Sequence, residues 1–128
     1  MKRHLEHVEQ VRLFQWAKMM SKKYPELSLM FAIPNESYGG GKLAIIRGKF
    51  FKAEGRKAGV PDIFLPVPRQ GFHGLFIEMK KPKQFRPSVS DSQKEWLKRL
   101  NAVGYKAVVC YGFEDAKKVI CKYLILEC

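Results

Sequence analysis

Acids are scarce in this chain. Its 128 residues hold 12 Asp and Glu against 24 Lys and Arg, a formal net charge of +12. Such a balance points to a polyanionic partner, nucleic acid first. A membrane surface fits less well, because the cations are scattered rather than gathered on one helix face. Cysteine is scarce too. Cys110, Cys121 and Cys128 include no CxxC pair. An odd count without that spacing indicates neither a zinc knuckle nor a disulfide framework, and reduced thiols are the expectation. No apolar run reaches the length of a membrane span, and the opening MKRHLEHVEQ is too polar for a signal peptide. The expectation is therefore a soluble, cytoplasmic protein with no membrane partner.

Other absences narrow the chemistry. His4, His7 and His73 lack metal-ligand spacing, although His73 lies in a turn beside a strand discussed below. No nucleophile elbow supports a Ser–His–Asp hydrolase. PNESYGGGK fails as a phosphate loop: Glu36 stands where the first glycine belongs, and Leu43 follows Lys42. That segment is a flexible turn, or else a loop that offers Asn35, Ser37, Tyr38 and Lys42 to DNA. There is no internal repeat, low-complexity linker or break in composition, so residues 1–128 are expected to form one domain, long enough for a core.

What is present is an alternation of helical and extended patterns. Residues 5–23 carry Leu13, Trp16, Ala17 and Met20 on one helical stripe. Residues 27–33 (LSLMFAI) read as a short buried strand. Residues 42–54 space Leu43, Ile46, Phe50 and Ala53 as one stripe of a helix that Gly55 stops. Residues 62–67 and 74–80 read as strands, and PVPRQGFHG between them is short enough for an antiparallel hairpin. After the basic stretch KKPKQFRPS, residues 90–103 form a helix with the stripe Gln93, Trp96, Leu97 and Leu100. Residues 106–112 form a strand. Residues 113–124 form a last helix, with Glu114 and Asp115 in its first turn and lysines later, as the helix dipole favours. The order α-β-α-β-β-α-β-α predicts an α/β fold with a central mixed sheet flanked by helices.

Against the shortage of acids, two stand out inside apolar strands. In GLFIEMK the alternation of side chains puts Phe76, Glu78 and Lys80 on one sheet face and Leu75, Ile77 and Met79 on the other. Asp62 opens the preceding strand on the face of Phe64. If the strands are neighbours, Asp62 and Glu78 converge at one end of the sheet. Two close carboxylates repel, and burial raises their pKa values. A hard divalent cation removes both penalties, and a lysine beside them can hold a water or steady charge developing on phosphorus. The plain alternative is a Glu78–Lys80 contact on an exposed face, with Asp62 as a strand-start residue.

Pro61-Asp62 followed by Glu78-Met79-Lys80 is the PD-(D/E)XK nuclease signature. With EHVEQ, PNE, GRKAGVPDIFLP, GLFIEMK, SDSQKEWLKRL and GYKAVVCYG, the chain resembles the VRR-NUC domain, the virus-type replication and repair nuclease family. The resemblance runs over most of the chain. It implies a restriction-endonuclease-like core and a Mg2+- or Mn2+-dependent endodeoxyribonuclease. Asp62 and Glu78 match the metal ligands, with the Met79 carbonyl as a third. Lys80 matches the catalytic lysine. The family's first-helix acid is Glu6 by its spacing to Gln10, with Glu9 as the alternative; both also read as first-turn acids suited to the helix dipole. Gln93 matches a glutamine near the family's site, yet it also completes a capping box with Ser90. Arg56, Lys57, Lys81, Lys83 and Arg86 flank the acids and either line a DNA path or stand as solvated charges. Stand-alone domains of this kind are phage-type and similar to Holliday-junction resolvases, homodimers acting on four-way junctions in a bacterial or phage-infected cell. The alternatives are a nicking, flap or end-trimming nuclease on linear DNA, and a non-catalytic DNA-binding protein of the same fold.

Overall fold

A computed structural model describes residues 2–34 and 42–128, with side chains described for 5–34 and 45–128. Helices α1 (Lys2–Met20), α2 (Lys42–Ala53), α3 (Asp91–Ala102) and α4 (Phe113–Leu124) surround strands β1 (Phe31–Ala32), β2 (Ile63–Leu65), β3 (Leu75–Lys80) and β4 (Lys106–Tyr111). Short 3-10 turns occupy Pro25–Leu29 and Lys83–Phe85. The sheet order is β1-β2-β3-β4. β1–β2 and β2–β3 are antiparallel, and β3–β4 is parallel with α3 as the crossover, so the sheet is mixed as expected.

The β2–β3 hairpin turns at Gln70-Gly71, both with positive φ, closed by reciprocal Arg69–Phe72 backbone bonds. Two consecutive left-handed residues give the twist that antiparallel strands need. The Gln70 side chain donates to the Lys122 and Tyr123 carbonyls, docking the hairpin tip onto the end of α4. His73 lies beside this tip, packed edge-on against Tyr105 at the start of β4 and away from the end where β3 finishes.

Alternation divides the sheet as the sequence indicates. Ile63, Leu65, Leu75, Ile77 and Met79 are buried, with Leu13, Trp16 and Ala17 of α1 and Ala116, Ile120, Tyr123 and Leu124 of α4 in the same core. The Tyr123 hydroxyl donates to the Val67 carbonyl at 2.7 Å within it. The other face carries a ring ladder. Phe64 and Phe76 stack at 4.2 Å, with Phe31 and Tyr105 edge-on at either side. β4 closes one edge of the sheet. There Asn101 of α3 both donates to the Ala107 carbonyl and accepts from the Ala107 amide, and Asp115 accepts from the Tyr111 amide. These side chains replace a missing neighbour strand and blunt the edge.

Two expectations are corrected. Residues 27–33 do not form one buried strand. Pro25 opens a 3-10 turn that buries Leu27 and Met30, three apart as that helix requires, and only Phe31 and Ala32 pair, both exposed. The helix expected over 42–54 is present as α2, with Ile46 and Phe50 of its stripe exposed. The thiols are not all free. Ile125 caps α4 in the left-handed conformation, Leu126 donates back to the Cys121 carbonyl, and the returning tail pairs Cys121 with Cys128 in a disulfide. Cys110 stays a buried thiol. Leu43, and the loop expected before α2, lie outside the described residues and side chains. No described helix is long and apolar enough to cross a membrane.

Candidate active site

Register brings the acids together. Ile63 pairs with Ile77, Phe64 with Phe76 and Leu65 with Leu75, so Asp62 lies beside the last residues of β3. Continuing that ladder would oppose Pro61 to Met79. The Met79 amide instead donates to Asp62 Oδ2 at 2.8 Å. The strand pairing thus ends in a carboxylate, and that carboxylate turns toward Glu78.

Glu78 is 3% exposed and Lys80 6%. Lys80 Nζ stands 3.6 Å from Glu78 Oε2. Gln93 sits over both: its Oε1 accepts from Lys80 Nζ at 2.9 Å, and its Nε2 donates to Glu78 Oε2 at 3.2 Å. The capping box is formed by the same side chain, with Gln93 Oε1 accepting from the Ser90 amide and Ser90 Oγ from the Gln93 amide. One side chain makes both the cap and the contacts to Lys80 and Glu78. The cap fixes where its amide points, and the amide fixes Lys80 and Glu78.

Glu78 Oε1 is buried without a hydrogen-bond partner. Burial foremost, then the neighbouring Asp62 carboxyl, pushes the Glu78 pKa up to about 9, against the lowering charge of Lys80. Asp62 is also raised, chiefly by burial, with the Glu78 hydrogen bond, the Met79 amide and Lys80 opposing. Burial and mutual repulsion therefore oppose ionising both carboxyls together. Among the described residues no group of three or more His, Cys, Asp or Glu side chains is placed to hold an ion.

The matching family model is the VRR-NUC domain, over residues 6–114. The chain belongs to the VRR-NUC family. A solved structure titled VRR_NUC domain protein superposes with a TM-score of 0.79 at 30% identity, over 95% of this chain and 89% of that one. No protein among the curated ones matches it. A nuclease-type, DNA-processing function follows from the family.

The two candidate acids on α1 of this VRR-NUC chain have different surroundings. Glu9 Oε1 accepts from the Phe113 amide at 3.1 Å, and its Oε2 pairs with Arg12 at 3.2 Å. Gly112, the residue before α4, has no side chain to cap the helix, and a Cβ there would stand 2.8 Å from Glu9 Oε1. Glu9 thus caps α4 from another element, a role hidden by a separation of 104 residues. Glu6 is half-buried, one turn nearer the start of α1. Of the proposed DNA contacts, Arg56 lies 3.9 Å over the Phe51 ring, and Lys83 5.0 Å over the Tyr111 ring. Lys57 and Arg86 are exposed, whereas Lys81 is 5% exposed. Asn35 and the Lys42 side chain lie outside what the structure describes.

One further positioning residue escaped the sequence reading. Gly59 has φ +87, and a Cβ on it would stand 2.7 Å from the Ser92 carbonyl carbon in the first turn of α3. Beside it, Trp96 Nε1 donates to the Ala58 carbonyl at 3.0 Å. The segment leading to Asp62 is thereby pressed onto the helix that carries Gln93. Gly59→Ala should cost about 1–2 kcal/mol from the left-handed backbone alone, more with the clash, and should lower the denaturant midpoint and the cleavage rate together. An unchanged midpoint would mean that the segment moves off α3 without penalty.

Proposed function

We propose that this VRR-NUC protein is a divalent-metal-dependent endonuclease that hydrolyses phosphodiester bonds in branched DNA, four-way junctions foremost, with Mg2+ or Mn2+ as its ion. The observation that carries the reading is the unpartnered, buried Glu78 Oε1 beside Asp62. A buried carboxylate oxygen without a donor is costly unless something cationic meets it. Lys80 already engages the other oxygen. Asp62 and Glu78 would hold the ion, with the Met79 carbonyl as a third oxygen: the Met79 amide points toward β2 past the last strand pair, and in a strand the carbonyl follows it. Oxygen-only donors of low number suit a hard cation that keeps waters and takes substrate phosphate. Once bound, such an ion supplies Lewis acidity toward the phosphoryl group and lowers the pKa of water.

The chain's own groups do the rest. Lys80, steadied by Gln93, holds a water by hydrogen bonding and stabilises charge on the phosphoryl oxygens as water attacks phosphorus and the bond to the 3′ oxygen breaks, leaving a 5′ phosphate and a 3′ hydroxyl. Gln93 fixes the lysine and the carboxylate in one frame. With Glu9 occupied as a helix cap, Glu6 is the α1 acid assigned to the site. Arg56, Lys57, Lys83 and Arg86 offset the acids' repulsion of DNA by neutralising phosphates, and Asn35, Lys42 and Lys81 are assigned to the same path. A homodimer supplies the two matched cuts that a four-way junction needs, and action on cellular DNA places the protein in the cytoplasm.

The test sets four-way junctions, flaps and plain duplex beside one another, with Mg2+, with Mn2+ and with chelator. Junctions should be cut fastest, only with metal, and Lys80→Ala should slow the cut about 10²–10³-fold. Equal cutting of all substrates would dismiss the branch preference. Tight junction binding without cutting in either metal would leave a binding protein of this fold.

A further inference from the structure

We propose that Phe85 is a base-stacking residue, and that the DNA taken by this chain has unstacked or unpaired bases, as at a branch point, within a few nucleotides of the cut. The inference rests on the nuclease reading above and specifies its substrate. Phe85 is 44% exposed, and among the described residues no ring packs against it. Single exposed apolar residues are ordinary on protein surfaces. Three features set this one apart.

First, its backbone is fixed. Phe85 donates to the Pro82 carbonyl at 3.0 Å and Arg86 to that of Lys83 at 2.9 Å, closing a 3-10 turn that ends with Arg86 at φ 54. An arginine held in the left-handed region is uncommon and marks a turn determined by its surroundings.

Second, the turn stands at the carboxylate end of the sheet. Lys83 lies over the ring of Tyr111, the last residue of β4, and Pro82 meets the position after it, at 3.2 Å from where a Gly112 Cβ would be. β3 and β4 run parallel, so the end of β4 is also the end of β3, where Glu78 and Lys80 sit. Phe85 follows Lys80 by five positions. Even fully extended, that chain spans about 17 Å, or about five nucleotides at about 3.4 Å each along a strand.

Third, Lys83 and Arg86 flank Phe85 along the chain, and the stretch KKPKQFR contains no acid. Cations that track the phosphates around a ring that takes a base face are the recurrent means of gripping unpaired nucleotides. In paired duplex the bases stack on one another and offer no free face. An exposed ring among phosphate contacts therefore discriminates in favour of DNA whose bases are splayed or unpaired.

The test uses wild-type protein in chelator, so that DNA is bound and not cut. A 2-aminopurine is placed at branch-point or unpaired positions one to about five nucleotides from the mapped cut. Binding should quench its fluorescence. Phe85→Ala should abolish the quench and raise Kd for this DNA about 5- to 100-fold, while Kd for plain duplex stays within about twofold. Phe85→Trp should restore both. Equal weakening on both DNAs, or an unchanged Kd on the unpaired one, overturns the proposal. A Phe85-dependent quench in a protein that cuts none of the DNAs with metal would count against the nuclease reading and leave the stacking in place. Normal metal-dependent cutting that ignores Phe85→Ala would do the reverse.

Discussion

Glu78→Gln should yield a protein that is both less active and, without metal, more stable. Cleavage should fall at least about a thousandfold, because the substitution removes the charge of a carboxylate proposed above to hold the metal, and with it stabilisation of the developing charge. Stability should move the other way at pH 8. The Glu78 carboxyl ordinarily titrates near 4.5 and is raised to about 9 in the fold. A raised acid contributes stability that is full below its unfolded value and is lost as pH rises toward the folded value. The metal-free wild type therefore carries a penalty at pH 8 that an amide does not. The new side chain fits the same contacts: its oxygen can accept from Gln93 Nε2, and its nitrogen can donate toward Asp62. Lys80 keeps Gln93 Oε1. Thermal melts should show a gain of roughly 3–6 °C for each kcal/mol relieved in a domain this size, and almost none at pH 4.5. The combination is diagnostic, since a residue needed only for folding would lower activity and stability together. Activity within tenfold of wild type would remove Glu78 from the chemistry.

The part of this site that could be read in the sequence is the part set by short-range rules. Period-two alternation put Glu78 and Lys80 on one face of β3, and the hairpin length placed Asp62 beside them; both follow from neighbours in the chain. The bounds of α4, and the Ser90 cap of α3, were legible for the same reason. Failures came where one local pattern fits two structures, or where a partner is remote. LSLMFAI is apolar enough for a strand, but Pro25 and the spacing of Leu27 to Met30 suit a 3-10 turn equally, and the chain took it. On α2 the period indicated which residues share a face and not what that face meets. Glu9 capping α4, Gly59 against Ser92, and Cys128 returning to Cys121 are all meetings across space that no spacing rule encodes. Gln93 shows why competing readings need not exclude each other: one amide oxygen accepts from both the cap and the lysine.

Metal binding should strengthen steeply with pH. Near neutrality Glu78 retains a proton that an isolated carboxyl would have lost, because burial and then the neighbouring Asp62 raise it to about 9; burial raises Asp62 as well. An ion entering between them must displace what they hold, so binding releases protons. Calorimetric titration with Mg2+ in buffers of different ionisation enthalpy should give about one proton released per ion at pH 7, and affinity should rise up to about tenfold per pH unit. The rise should flatten above about pH 9, where Glu78 is already ionised. Thermal stability then couples to the same protons. Metal-free protein should weaken as pH climbs from about 4.5 toward about 9, and saturating Mg2+ should offset that loss because it binds only the folded pair. Metal stabilisation that is independent of pH would mean the ion goes elsewhere. Lys80 offers an internal control. Its charge lowers both carboxyls, so Lys80→Met should push the proton-linked profile to higher pH while leaving the ligands in place. A shift to lower pH would show that the lysine does not face the pair in solution.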